Sequence, residues 1–191
     1  ITRDSLMTLE AYQKERPEFR KRAMAHKKAR SVFIGKHVML QFEDETTLRY
    51  QIQEMLRAEK TFDEAGIQDE LDAYCPLLPN GSNWKATQMI EYTDIDERQK
   101  KLTELKGIER HTYIQIKGFE KVYAIADEDL PRENEEKTSA VHFMRFELTP
   151  EMISAAKSGE AIGMGTDLAA YTVHVERVAE KTQSSLLKDF D

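Results

Sequence analysis

The sequence holds one cysteine, five prolines, eight glycines and one tryptophan in 191 residues. A single cysteine, Cys75, excludes an internal disulfide, a zinc site built from cysteine clusters and an iron–sulfur cluster held by this chain alone. It sits between Tyr74 and Pro76 with no basic neighbour to activate it, so it reads as a buried small apolar residue. No window approaches the roughly 18 apolar residues of a membrane-spanning helix. The opening "ITRDSLMTLE" lacks the basic start and apolar run of an export signal, and a soluble cytoplasmic protein is expected.

The chemical motifs are equally sparse. The histidines at 26, 37, 111, 142 and 174 form no i,i+4 pair and no HExxH, so no metal site is visible. There is no haem-attachment motif, and no cofactor is expected. "GEAIGMG" places glycines at 159, 163 and 165 but lacks the Lys-Ser/Thr of a phosphate loop and the helix that follows a dinucleotide fingerprint, so it reads as a turn. No serine or cysteine occupies a nucleophile elbow.

What is present is the composition of a folded globule, 40% hydrophobic and 33% charged. The length suits one domain. The net charge of −7 argues against general nucleic-acid binding, yet its distribution is uneven. In "RPEFRKRAMAHKKAR", residues 16–30, seven Lys or Arg face one Glu, giving +6 and leaving −13 for the remainder. Phe19, Ala23 and His26 fall on one helical stripe, so the plain reading is a solvated basic face. The functional alternative is a helix that docks RNA, phosphate or an acidic partner.

"DSLMTLEAYQKE" offers Asp4 or Ser5 as a helix cap, and a second, basic helix is expected after Pro17. In "KHVMLQFED" Val38, Leu40 and Phe42 alternate with Met39 and Gln41, which predicts the first strand. A helix capped at Asp44, Thr46 or Thr47 follows, then another that Pro76 and Pro79 end. "PNGSN" reads as a turn, "ATQMIEYT" as a strand, and "DIDERQKKLTELKG" as a helix from Asp94 to Gly107. "HTYIQIKGFEKVYAIA" reads as a hairpin turning near Gly118. The loop at 127–137 has six carboxylates in eleven residues and is expected to be exposed and mobile. A central strand, a helix from Thr149, the strand "YTVHVERV" and a helical tail at 180–191 complete the chain. The expected class is α+β, a single domain over 1–191 with a mainly antiparallel sheet, helices packed on it, and a helical N-terminal region at 1–30.

Two constellations stand out. On the helix at 46–60, Leu48, Ile52, Met55 and Leu56 form the apolar stripe. Tyr50, Gln53, Glu54 and Arg57 share the opposite face, which offers either acid-base or ligand chemistry in a cleft or an ordinary solvated surface. In "KTSAVHFMRFEL" His142 and Arg145 point to opposite faces of a strand that should be internal to its sheet. Each then needs polar partners, and the two cannot serve one small site.

The runs "LRYQIQEMLRAEK", "ATQMIEYTD", "ERQKKLTELKGIE", "ADEDLPRE" and "KTSAVHFMRFEL" resemble the bacterial family of domain of unknown function 3501 (DUF3501). The resemblance spans at least Ile1 to Leu148. It implies genomic company with a rubrerythrin-like protein and with an iron–sulfur protein related to heterodisulfide reductase. It assigns no catalytic residue. Members often carry a His-Pro pair near "GTDLAAY", where this chain has Leu168 and Ala169. The expectation is an accessory or binding protein of a peroxide-handling or thiol-redox system. The alternatives are an enzyme or small polar ligand binder using Tyr50, Glu54 and Arg57, and an RNA or acidic-partner binder using 16–30.

Overall fold

A computed structural model describes residues 1–134 and 136–191 and shows an α+β fold. The chain divides into two compact units, residues 1–29 with 43–78, and residues 30–42 with 79–191.

The first unit is helical. Helix α1 spans Leu9–Ala29, α2 Glu45–Glu59 and α3 Glu64–Tyr74. The expected break at Pro17 does not occur, because α1 runs through it. Pro17 forfeits one helical hydrogen bond, but Tyr12 and Ala23 lie buried on either side of it, and a break would part them. Asp4 and Ser5 belong to a separate short turn, Arg3–Ser5. At the start of α1, Thr8 Oγ1 accepts the Ala11 N–H at 3.2 Å. Helix α2 starts at the expected cap: Asp44 accepts the Thr47 N–H, and Thr47 Oγ1 accepts the Asp44 N–H in return. It ends at Lys60 in the left-handed region, φ 56°. Leu6, Ile52, Leu56, Ile67 and Leu71 form the core of this unit. Cys75 is half-buried at its edge, not fully buried as expected, with Sγ 3.7 Å from the Ile1 carbonyl.

The second unit carries two antiparallel sheets. In chain order its elements are β1 Ser31–Ile34, β2 Val38–Phe42, β3 Asn83–Ile90, α4 Ile95–Glu104, α5 Ile108–His111, β4 Thr112–Ile116, β5 Val122–Tyr123, β6 Ile125–Ala126, β7 Val141–Glu147, α6 Pro150–Lys157, β8 Ile162–Leu168, β9 Tyr171–Val175 and α7 Glu180–Leu186. One sheet has the order β1-β2-β3-β7-β6, the other β5-β4-β8-β9. Four-residue β1 precedes the strand expected to be first. The expected hairpin at 111–126 forms, but its return strand divides between the sheets. Tyr123 pairs with Tyr113 on β4, whereas Ile125 pairs with Arg145 on β7. "IGMGTDL" is strand β8, not a turn: Ile162 and Met164 enter the core while Gly163 and Gly165 occupy the alternate face.

The core of this unit gathers Val38, Leu40, Phe42, Trp84, Ile114, Phe146, Ile162 and Met164. Trp84 places its ring between Phe42 and Phe190 and donates Nε1–H to the Leu186 carbonyl at 3.0 Å. Arg30, counted in the basic stretch of the sequence, is buried here. It donates Nη2–H to Asp189 at 2.5 Å and Nε–H to the Phe42 carbonyl at 3.1 Å. No helix among the described residues is long and apolar enough to cross a membrane.

Candidate functional site

The helix face at Tyr50, Gln53 and Glu54 packs against α1 and the chain before it, with Arg57 partly exposed at its edge. Tyr50 and Gln53 are buried. Phe19 of α1 stacks on Tyr50 at 6.3 Å between ring centroids, and Gln53 Oε1 accepts the Met7 N–H at 2.7 Å. Glu54 accepts Tyr12 Oη–H at 2.7 Å and both Nε–H and Nη2–H of Arg16, at 2.7 and 2.9 Å. Arg57 Nε lies 3.5 Å from the same carboxylate. The Arg16 hydrogen bonds, joined by Tyr12, hold the Glu54 carboxyl at a pKa of about 2 against the opposing effect of burial. A carboxylate so deeply ionised and so fully engaged is a poor proton acceptor. It serves to lock α1 to α2. The sequence pattern put these residues together correctly and misjudged their surroundings, because a helix can bury two faces when it has neighbours on both sides.

Within the basic stretch, Arg16 and Arg30 are spent on internal carboxylates, and His26 pairs with Asp44 at 2.5 Å. Arg20, Lys21, Arg22 and Lys28 are exposed.

His142 and Arg145 lie on opposite faces of β7, which is flanked by β3 and β6. The adjacent residues Asp127 and Glu128 serve one each. Asp127, in the left-handed region at φ 53°, places Oδ2 2.6 Å from His142 Nδ1. Its Oδ1 accepts the Phe143 N–H, and its own N–H donates to the Phe143 carbonyl, so the residue extends the β ladder. His142 Nε2 lies 2.8 Å from Thr138 Oγ1 and 3.1 Å from the Ser139 carbonyl. Hydroxyl, imidazole and carboxylate in this order are the parts of an activated nucleophile. However, Thr138 is 2% exposed and also faces Glu109, 3.4 Å away, so the chain of bonds fastens the loop to the strand. On the other face Glu128 takes Nε–H and Nη2–H of Arg145 at 2.9 and 2.8 Å, and Glu147 takes Nη1–H at 2.6 Å. The start of the acidic segment is therefore tied down by Asp127 and Glu128. Arg132 bonds Asp129 and lies over the Phe143 ring, and Glu133 accepts from Arg110. Glu135, also part of that segment, lies outside the described residues.

The outer face of the second sheet carries a constellation that sequence reasoning missed. Tyr123, Tyr113, Gly165 and His174 stand in register across its four strands, β5, β4, β8 and β9. Gly165 is what permits the row. A Cβ there would lie 2.8 Å from Tyr113 Oη and 2.4 Å from the Val173 carbonyl. In its absence the Tyr113 ring crosses the strand, and its Oη reaches His174 Nδ1 at 3.1 Å. Lys121 Nζ lies 4.0 Å from the centre of the same ring. Asp167 anchors the edge of the row, accepting Tyr123 Oη–H at 2.5 Å and Lys121 Nζ–H at 3.0 Å, with His111 Nδ1 at 3.1 Å. These hydrogen bonds, that of Tyr123 first, bring its carboxyl to a pKa of about 2. The same bond raises the Tyr123 phenol above its ordinary value, and Asp167 raises Lys121. Tyr113 is 3% exposed, while Tyr123 is 44% exposed and His174 is open to solvent. The available sequence signal was the alternation Gly163, Gly165, Asp167, which marks a strand with one bare face.

Residues 1–190 match the family described as protein of unknown function DUF3501. The chain belongs to the DUF3501 family. It is also similar to a crystallised novel protein of unknown function from Burkholderia pseudomallei, at 52% identity and a TM-score of 0.96, with 100% of this chain and 99% of that one covered. No curated protein matches the chain. The DUF3501 match embraces both units, so the helical lock and the sheet face belong to one family sequence.

Proposed function

We propose that this DUF3501 protein is a binding component of a cytoplasmic peroxide-handling or thiol-redox system and that it meets its partner through the outer face of the second sheet. The observation that supports a binding role is the row Tyr123–Tyr113–His174 over Gly165. Its aromatic and imidazole side chains are fixed by hydrogen bonds on a face that reaches solvent. Rigid aromatic groups of this kind carry much of the energy in protein recognition and lose little side-chain entropy on binding. The partner expected from the family resemblance is a rubrerythrin-like protein or an iron–sulfur protein related to heterodisulfide reductase. A chain with one cysteine lacks the thiolates of an iron–sulfur cluster, so any such cluster belongs to that partner.

The test mixes the purified chain with each purified candidate partner and measures association by calorimetry. Saturable binding to one of them, weakened about tenfold or more by Tyr123→Ala and by His174→Ala, is the expected result. Binding to neither, or binding indifferent to both substitutions, sinks the reading. Tyr123→Ala removes an exposed side chain, so its melting temperature serves as the control for folding.

A further inference from the structure

Beside the tyrosine row, at the end of β4 and β9, Gln115, Lys117, Gly163, His174, Glu176 and Arg177 help to line a cavity of about 450 Å³. We propose that this cavity binds a small oxyanion, a carboxylate or phosphate group, independently of any protein partner.

Three donor residues line it. Lys117 and Arg177 are exposed and have no carboxylate partner among the described residues, whereas Lys121 on the same sheet is paired with Asp167. Glu176 is the one carboxylate among the lining residues, so the walls carry net positive charge in a protein whose total is −7. The third donor is set by the tyrosine row. When Tyr113 Oη–H donates to His174 Nδ1, the imidazole proton resides on Nε2, and Nε2 has no partner among the described residues. A neutral His174 is thereby held as a donor, and a charged one donates from the same atom.

The floor is backbone. A Cβ on Gly163 would lie 3.2 Å from His174 Cε1 and 3.1 Å from the carbonyls of Val175 and Glu176, so any larger residue would crowd the imidazole and fill the cavity. Gln115 is fixed by donating Nε2–H to the Phe119 carbonyl at 2.9 Å, which closes the turn that carries Lys117 and Gly118. The volume is at the small end of ligand pockets and suits a compact anion. Charge-assisted donors of two types with an imidazole N–H form a recognition set for oxyanion oxygens.

Inorganic phosphate and succinate are titrated separately into the isotope-labelled chain at low ionic strength, with sodium chloride as the charge-matched control, while amide and imidazole resonances are followed. Saturable shifts at Gly118, Gly163 and the His174 ring are expected with at least one oxyanion, and the preferred probe identifies the group as phosphate or carboxylate. Arg177→Ala and Lys117→Ala should each weaken binding about tenfold. Tyr113→Phe should weaken it by a smaller factor, since it releases the tautomer and leaves the cations in place. Equal responses to chloride, shifts spread over the exposed lysines and arginines of α1, or unchanged affinity in Arg177→Ala would overturn the proposal. Both exposed cations can be removed without touching the core, and Tyr123→Ala should leave oxyanion binding intact, so this test fails or succeeds apart from the partner assay.

Discussion

Glu54→Ala should destabilise the helical unit by about 3 kcal/mol. The carboxyl falls from 4.5 to about 2 in the folded protein, chiefly through Arg16, and each unit of such a shift is worth about 1.4 kcal/mol. The side chain is 19% exposed and that of Arg16 30%, so solvent screening reduces the gross figure to about 2 kcal/mol. Alanine also leaves the hydroxyl of Tyr12, a residue with no exposed surface, without its acceptor, at a further cost of about 1 kcal/mol or more. Glu54→Gln keeps an acceptor for Tyr12 and should cost about half as much. The pH dependence has a definite sign. Because the folded pKa lies below the unfolded one, the stabilisation is complete above about pH 4.5 and fades as the pH falls toward 2. Urea unfolding followed by far-ultraviolet circular dichroism, for parent and Glu54→Gln across this range, measures the gap directly. The gap should close on acidification. A Glu54→Ala protein within about 0.5 kcal/mol of the parent, or a gap independent of pH, would refute the lock between α1 and α2.

Arg145→Met should cost only about 1 kcal/mol, since the guanidinium is 24% exposed and Glu128 and Glu147 can turn to water; acid should lessen the cost by neutralising the two carboxylates, as stability curves at two pH values would show. Asp127→Ala removes an acceptor from fully buried His142 and a cap from the Phe143 N–H, so a loss of about 3 kcal/mol is expected in denaturant titrations, with Asp127→Asn costing less. Gly165→Ala forces a Cβ to within 2.4 Å of the Val173 carbonyl and should lower stability by about 2 kcal/mol while displacing Tyr113, which the shift of the His174 ring resonances would report.

Alternation and capping were legible from the chain alone. The core positions Val38, Leu40 and Phe42, the start of α2 at Asp44 and of α4 at Asp94, and the placement of His142 and Arg145 on opposite faces of one strand follow from periods of two and 3.6 and from side chains that bond their own backbone. These are local rules, and they hold whatever the neighbours are. The family, too, was legible, from runs spread over Ile1 to Leu148, and the match extends over residues 1–190. Local rules could not say what lies opposite a polar face. Tyr50, Gln53 and Glu54 pattern equally as a cleft wall or a solvated surface, and only the packing of α1 against them turns the carboxylate into a lock. Pro17 reads as a break until the burial of Tyr12 and Ala23 on one helix outweighs it. The glycines of "IGMG" read as a turn until β4 and β9 pair on either side and lay a tyrosine and a histidine over the bare strand. Residues 113 and 123 come from one hairpin and 165 and 174 from another some fifty residues on in sequence, and the register of β4 against β8 brings the two pairs into one row.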